Sequence, residues 1–268
     1  MTGPGPRVAV VGAGMMGEAL TRGLLRAGWD PSHIVLSDVR ADRLESLQSE
    51  LGVEVAADAA AAAGAASEGL ILAVKPQDAA AVLRAVGPST KSRTMMSIVA
   101  GLRTSSVREI VDGPCVRAMP NTPARVGKGV TALAAPEDVP EESRQLAAEV
   151  FSSVGPVLWV EERWMDVVTA VSGSGPAYVF LLAEAMIEAA VGLGLDPQSA
   201  ATLVATTIEG AGSMLTGTMQ EPKVLRDQVT SPKGTTAAAL DVLAKRQFRE
   251  AISEAVHAAA RRSGELGA

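Results

Sequence analysis

The feature that most restricts this chain is a glycine string, Gly12-x-Gly14-x-x-Gly17, set between a short β-branched run and a helical pattern. Val8–Val11 reads as a strand. Ala19, Leu20, Leu24 and Leu25 then recur at helical spacing, and Gly28 closes the helix. Alone, such a string is weak evidence, and a tight turn with no ligand is the competing reading. Placed directly between a strand and a helix, it predicts a β-α-β unit that holds a dinucleotide. Glycine lets the backbone approach a pyrophosphate with no Cβ in the way, and the helix N-terminus adds free N–H groups and partial positive charge.

The same alternation continues. Residues 34–36, 53–55, 70–74, 94–99, 116–119, 130–134 and 157–160 read as strands, and 43–51, 56–66, 79–86, 107–111 and 141–152 as helices. Short apolar strands alternating with helices predict a mainly parallel sheet covered on both faces. From Trp164 onward only helical periodicity remains, broken at 194–197 and 230–234. The expected division is an α/β dinucleotide-binding domain over 1–163 and an all-helical domain over 164–268. The helical part is rich in small side chains and is expected to pack on a second copy of itself.

Composition narrows the function. A formal charge of −6, with no basic stripe, argues against nucleic acid as a partner. The single cysteine, Cys115, forms no internal disulfide, and two histidines are too few for a His-rich metal site or a Ser-His-Asp triad. No metal is expected. The first residues lack the layout of a secretory leader, so the cytoplasm is the expected compartment. The apolar stretch 177–195 carries Glu184 and Glu188 on one helical face; two carboxylates are costly in lipid, so it reads as a buried soluble helix and no membrane is expected.

Five segments are candidates for chemistry. After the glycine string comes Ser37-Asp38-Val39-Arg40, at the end of the second strand. Asp38 suits the ribose 2′-OH of NAD, whereas Arg40 suits the 2′-phosphate of NADP, which leaves the coenzyme open. Ala73-Val74-Lys75-Pro76-Gln77 ends another strand, where ligands of open α/β sheets bind; a surface lysine is the alternative for Lys75. Met119-Pro120-Asn121-Thr122-Pro123 is a rigid polar loop, or an ordinary turn. Residues 171–178, VSGSGPAY, are expected to open a long helix, as a close-contact surface or simply a helix start. Residues 229–236, VTSPKGTT, form another helix start, able to hold a carboxylate or merely capped by its hydroxyls.

Taken together, RAMPNTP, AVKPQ, SGSGPAYVF and LRDQVTSPKGTTAAALDVL resemble the pyrroline-5-carboxylate reductase family over nearly the whole chain. The resemblance implies a Rossmann-type doubly wound N-terminal domain and an all-α C-terminal dimerisation domain. It further implies an intertwined homodimer that can assemble into a decamer, with an active site using the partner's helices. It implies hydride transfer from NADPH or NADH to 1-pyrroline-5-carboxylate, giving L-proline. By the same resemblance Gly12, Ala13, Gly14, Met15, Met16 and Gly17 would hold the pyrophosphate. Ala73, Val74, Lys75 and Pro76, with Val99, Ala100 and Gly101, would line the nicotinamide half. Ser231, Gly234, Thr235 and Thr236 would bind the substrate carboxylate, the Thr236 hydroxyl would meet the ring nitrogen, and Glu162 and Asn121 would lie near the substrate.

One residue departs from the pattern: Lys233 stands where the family usually has glycine. If that position needs a positive φ, the lysine costs roughly 1 kcal/mol; the alternative is that its charge helps attract an acidic substrate. A β-hydroxyacid dehydrogenase shares the two-domain plan, but the lysine it needs is missing after Ser174-Gly175. The other rival is a coenzyme-binding regulator without turnover, of a vitamin-B6-type or redox-sensing kind; the intact 231–236 loop argues against it.

Overall fold

The computed structural model describes residues 6–267; the leading residues on which the reading about a secretory leader rests lie outside them. The chain runs β1 (Val8–Val11), α1 (Met15–Arg26), β2 (Ile34–Ser37), α2 (Ala41–Leu51), β3 (Glu54–Val55), α3 (Ala59–Ala65), β4 (Gly69–Leu72), α4 (Pro76–Val86), β5 (Thr94–Ser97), α5 (Thr104–Arg108), β6 (Cys115–Pro120), β7 (Thr131–Ala134), α6 (Glu141–Ser152) and β8 (Val157–Trp159). Helices follow: α7 (Met165–Val168), α8 (Gly175–Gly192), α9 (Pro197–Thr218), α10 (Pro222–Gln228), α11 (Thr235–Lys245) and α12 (Phe248–Leu266).

The chain divides into two compact units: one holds residues through Ser174 and again from His257, the other Gly175–Val256. In the first, eight strands form one sheet in the order β3-β2-β1-β4-β5-β6-β7-β8. Every pair is parallel except β6 with β7. From β1 the chain steps outward to β3, then crosses back to place β4 on the other side of β1. The carboxyl ends of β1 and β4 therefore flank the switch point, where ligands of such sheets bind. The doubly wound expectation holds.

Strand alternation sorts the core onto the two faces. Val8, Val10, Ile34 and Leu36 pack with Leu20 and Leu24 of α1, Leu47 of α2 and Phe151 of α6. Ala9, Val11, Leu70 and Leu72 pack with Ala62 and Ala63 of α3, Leu83 of α4 and Val107 of α5. Each fully buried large side chain contributes about 1.5–3 kcal/mol. Alanine at positions 62 and 63 lets α3 lie close on the sheet, which explains the alanine run.

In the second unit α8 and α9 pack together across a turn at Gly194, with Asp196 capping α9 through the Ser199 N–H. Left-handed Met219 and Gln247 end α9 and precede α12, two breaks that the periodicity does not reveal. The expectation that residues 177–195 are buried needs correction. No residue of α8 is buried, and Phe180 and Leu181 are 66% and 65% exposed. Hydropathy specifies a face that wants cover, but this unit of a single chain does not supply it. By length and composition alone, the helical stretch Glu162–Gly192 could cross a membrane.

Residues 171–178 open the long helix α8 at Gly175, as expected, and they do so directly from an irregular helical turn. Thr169–Gly173 is a π-helical turn between α7 and α8, with the Ser174 N–H donating to the Thr169 carbonyl. Ser172 donates its hydroxyl back to the Val168 carbonyl, a local bond that helps shape such irregular turns.

Candidate active site

A cleft of about 560 Å³ opens at the carboxyl ends of β1, β2 and β4. Gly12, Gly14, Asp38, Arg40, Ala73, Val74 and Lys75 line it, so seven of the expected coenzyme residues converge there. Two of the glycines show why no other residue serves. Gly12 has φ +103°, and a Cβ there would lie 2.4 Å from the Ala73 carbonyl oxygen. A Cβ on Gly17 would lie 1.9 Å from the Gly12 carbonyl oxygen. These two positions are closed by the chain itself, whereas a Cβ on Gly14 would meet nothing within 4 Å. Gly14 is also the N-cap of the 12-residue helix α1, and no side chain caps that end. Open space beside uncapped helical N–H groups is what a pyrophosphate requires. A dinucleotide fits this cradle.

Asp38 and Arg40 form one wall. The Asp38 carboxylate accepts from the Ala13 N–H at 2.8 Å and from the Arg40 N–H and Nε at 3.0 Å each. Burial pushes the Asp38 carboxyl up, but the bonds from Arg40 and Ala13, with the Arg40 charge, outweigh it and hold the group below its ordinary value. Asp38 is thus committed to the chain on both oxygens, while the Arg40 side chain remains 55% exposed.

The other expected coenzyme residues lie around this cleft rather than along it. Ala13 is buried and contributes its N–H to Asp38. Met15 is exposed and Met16 packs on the core. Pro76 starts α4. Val99, Ala100 and Gly101 follow β5, one strand further along the sheet. Ala57, Asp58 and Ala59 also line the cleft, and the sequence reading missed them. Their one signal was Asp58 before an alanine run: its carboxylate accepts from the Ala61 N–H as the cap of α3.

The remaining candidates are placed as follows. Asn121 is buried, and its Oδ1 accepts from the Val130 N–H, tying together the connection between β6 and β7. The Glu162 carboxylate accepts from both the N–H and the hydroxyl of Thr104. In the helical unit, Gly234 is the N-cap of α11, and no hydroxyl caps that helix. The capping alternative for residues 229–236 is therefore not realised. A Cβ on Gly234 would lie 2.2 Å from Ser231 Oγ, so a larger residue there would have to turn the Ser231 hydroxyl aside. Lys233 has φ +62°, the left-handed conformation in which a lysine is strained.

Two family models match the chain: "Pyrroline-5-carboxylate reductase dimerisation" over residues 162–266 and "NADP oxidoreductase coenzyme F420-dependent" over 7–101. A pyrroline-5-carboxylate reductase of Synechocystis is 41% identical over 263 residues, covering 97% of this chain and 98% of that protein. The chain belongs to the pyrroline-5-carboxylate reductase family. Solved structures of the family agree. One from Coxiella burnetii has a TM-score of 0.90 at 36% identity, covering 98% of this chain and 99% of its own. One from Plasmodium falciparum, with NADP bound, has a TM-score of 0.88 at 30% identity, covering 99% of each. The match over 162–266 gives the helical region its role in oligomerisation and explains its uncovered apolar side chains.

Proposed function

We propose that this protein reduces 1-pyrroline-5-carboxylate to L-proline, the last step of proline biosynthesis, with NADPH or NADH as coenzyme. The observation that carries this reading is the 41% identity to a named reductase over 97% of the chain. The cleft built around Gly12, Gly14 and Asp38 supplies the coenzyme site that such a reaction needs. Residues 1–163 act as the coenzyme domain and 164–268 as the substrate and dimerisation domain. The functional assembly is a homodimer that builds further into a decamer. The cytoplasm, where reduced nicotinamide coenzymes are at hand, is its compartment.

When bound, the reduced nicotinamide supplies a hydride. The chain's own residues bind and orient. Gly12–Gly17 and the N-terminus of α1 hold the pyrophosphate, with Asp38 and Arg40 at the adenine ribose. Ala73–Pro76 and Val99–Gly101 flank the nicotinamide half. In the helical unit, the uncapped start of α11 holds the substrate carboxylate through Ser231, Gly234, Thr235 and Thr236. Thr236 is the catalytic residue: its hydroxyl meets the ring nitrogen and fixes which face of the imine carbon is presented. The imine is most electrophilic with its nitrogen protonated, so one hydride and one proton together give the amine. Positioning carries most of the rate, and oriented pairs gain roughly 7 kcal/mol or more. Asn121 acts on this site through the backbone that it fixes, whereas Glu162 acts through Thr104, at the start of α5.

Thr236→Ala should lower turnover roughly 100-fold while coenzyme affinity, read by titration calorimetry, stays within about two-fold. Unchanged turnover would remove Thr236 from the mechanism.

A further inference from the structure

Arg117 lies in β6, paired in register with Ser97 of β5, and its side chain is only 3% exposed. A buried guanidinium is costly unless its charge and its donors are met. Here they are met poorly. Nη1 donates to Glu162 Oε1 at 3.4 Å, and Nη2 stands 3.9 Å from Asp166 Oδ1, too far for a hydrogen bond. Nε and Nη2 have no hydrogen-bond partner among the described residues. For stability alone, an apolar residue would serve this interior position better. The arrangement calls for a reason outside packing.

What the guanidinium faces supplies one. Glu162 Oε1 accepts from the Thr104 N–H at 2.8 Å, and Oε2 accepts from the Thr104 hydroxyl. Thr104 is the first residue of α5 and closes the segment that leaves β5 through Val99, Ala100 and Gly101. At the near end of that segment the Ser97 hydroxyl accepts from the Val99 N–H, and Ser97 is the register partner of Arg117. Asp166, the second carboxylate, accepts from Ser263 of α12, whose end meets the same segment. A Cβ on Gly101 would lie 2.9 Å from the Gly267 nitrogen. One buried cation therefore faces two carboxylates, and each carboxylate is hydrogen-bonded to Thr104 or to the helix that borders residues 98–104.

We propose that Arg117, Glu162 and Thr104 form a positioning relay that sets the 98–104 segment against the nicotinamide end of the coenzyme. This rests on the reading that Val99–Gly101 borders the nicotinamide. Glu162 then serves the coenzyme and not the substrate: both its oxygens are already engaged inside the sheet unit. Arg117 and Glu162 are positioning residues.

The test compares full-length wild type with Glu162→Gln, Thr104→Val, their double variant and Thr104→Ser. Titration calorimetry measures binding of NADPH and of ADP-ribose, which lacks the nicotinamide, and steady-state assays follow KM for each substrate. Glu162→Gln and Thr104→Val should each weaken NADPH binding roughly ten-fold, the scale of a hydrogen bond to a charged group. ADP-ribose binding and KM for 1-pyrroline-5-carboxylate should stay within about two-fold. The double variant should be no worse than either single one, and Thr104→Ser, which keeps both donors, should match wild type. Equal weakening of NADPH and ADP-ribose would overturn the relay, as would a rise confined to KM for the imine. A wild type that binds NADPH but turns over no imine would overturn the assigned reaction instead, and the binding comparison would still decide the relay.

Discussion

The two units of this chain meet the same physical demand in opposite ways. The sheet unit closes its own core: strand side chains of both faces are covered by α1, α2 and α6 on one side and α3, α4 and α5 on the other. The helical unit does not. α8 has no buried residue, and in α9 only Ala200 and Val204 are buried. Exposed apolar side chains on this scale mark an interaction surface, and the dimerisation model over 162–266 says what kind. The cleft at the carboxyl ends of β1, β2 and β4 is thus built by the sheet unit of one chain, whereas the helical unit depends on assembly for its cover.

The sharpest way to break this contrast is Phe180→Asp. A carboxylate forced into an apolar interface without a partner costs on the order of 3–5 kcal/mol. Light scattering should show the mass of one chain, and coenzyme binding should persist. An intact oligomer would mean that α8 faces solvent in the assembly as well.

Cys115 sharpens the other side of the contrast. Burial, with the negative charge of Glu162 nearby, pushes its thiol from 9.0 up to about 12. A group raised on folding contributes its full stability below its unfolded value and loses it as pH rises through the folded one. Chemical denaturation should therefore show stability falling between about pH 9 and 12, an arm diminished in Cys115→Ala. An identical arm in that variant would place the titration elsewhere.

Arg40→Ala tests the ribose wall. With Asp38 committed to Ala13 and Arg40, the exposed guanidinium is the group at that wall suited to a 2′-phosphate. The ratio of kcat/KM for NADPH to that for NADH should fall roughly ten-fold. A rising ratio would reverse the role of the pair. The smallest effect belongs to Lys233→Gly, which relieves a left-handed lysine and should raise the stability of the helical unit by about 1 kcal/mol, read by denaturant midpoint.

Much of this was legible in the sequence because local rules determined it. Gly12, Gly14 and Gly17 sit between a β-branched strand and an amphipathic helix; close backbone approach explains Gly12 and Gly17, and open space at the start of α1 explains Gly14. The cost of Lys233 was readable as a condition, and its φ of +62° meets that condition. What stayed hidden depends on distant partners. Arg117 and Glu162 are 45 residues apart, and no spacing joins them. Asp58 lines the cleft only because β2 and β3 pair in register. The apolar run in α8 looked like core because composition records the need for cover and not its source.

The reductase assignment stands or falls on the absorbance of NADPH and NADH followed with purified protein and 1-pyrroline-5-carboxylate, with proline quantified as product. Coenzyme oxidation should depend on the imine and match the proline formed, one for one. A folded protein that binds coenzyme yet oxidises neither form in the presence of the imine would exclude this reaction.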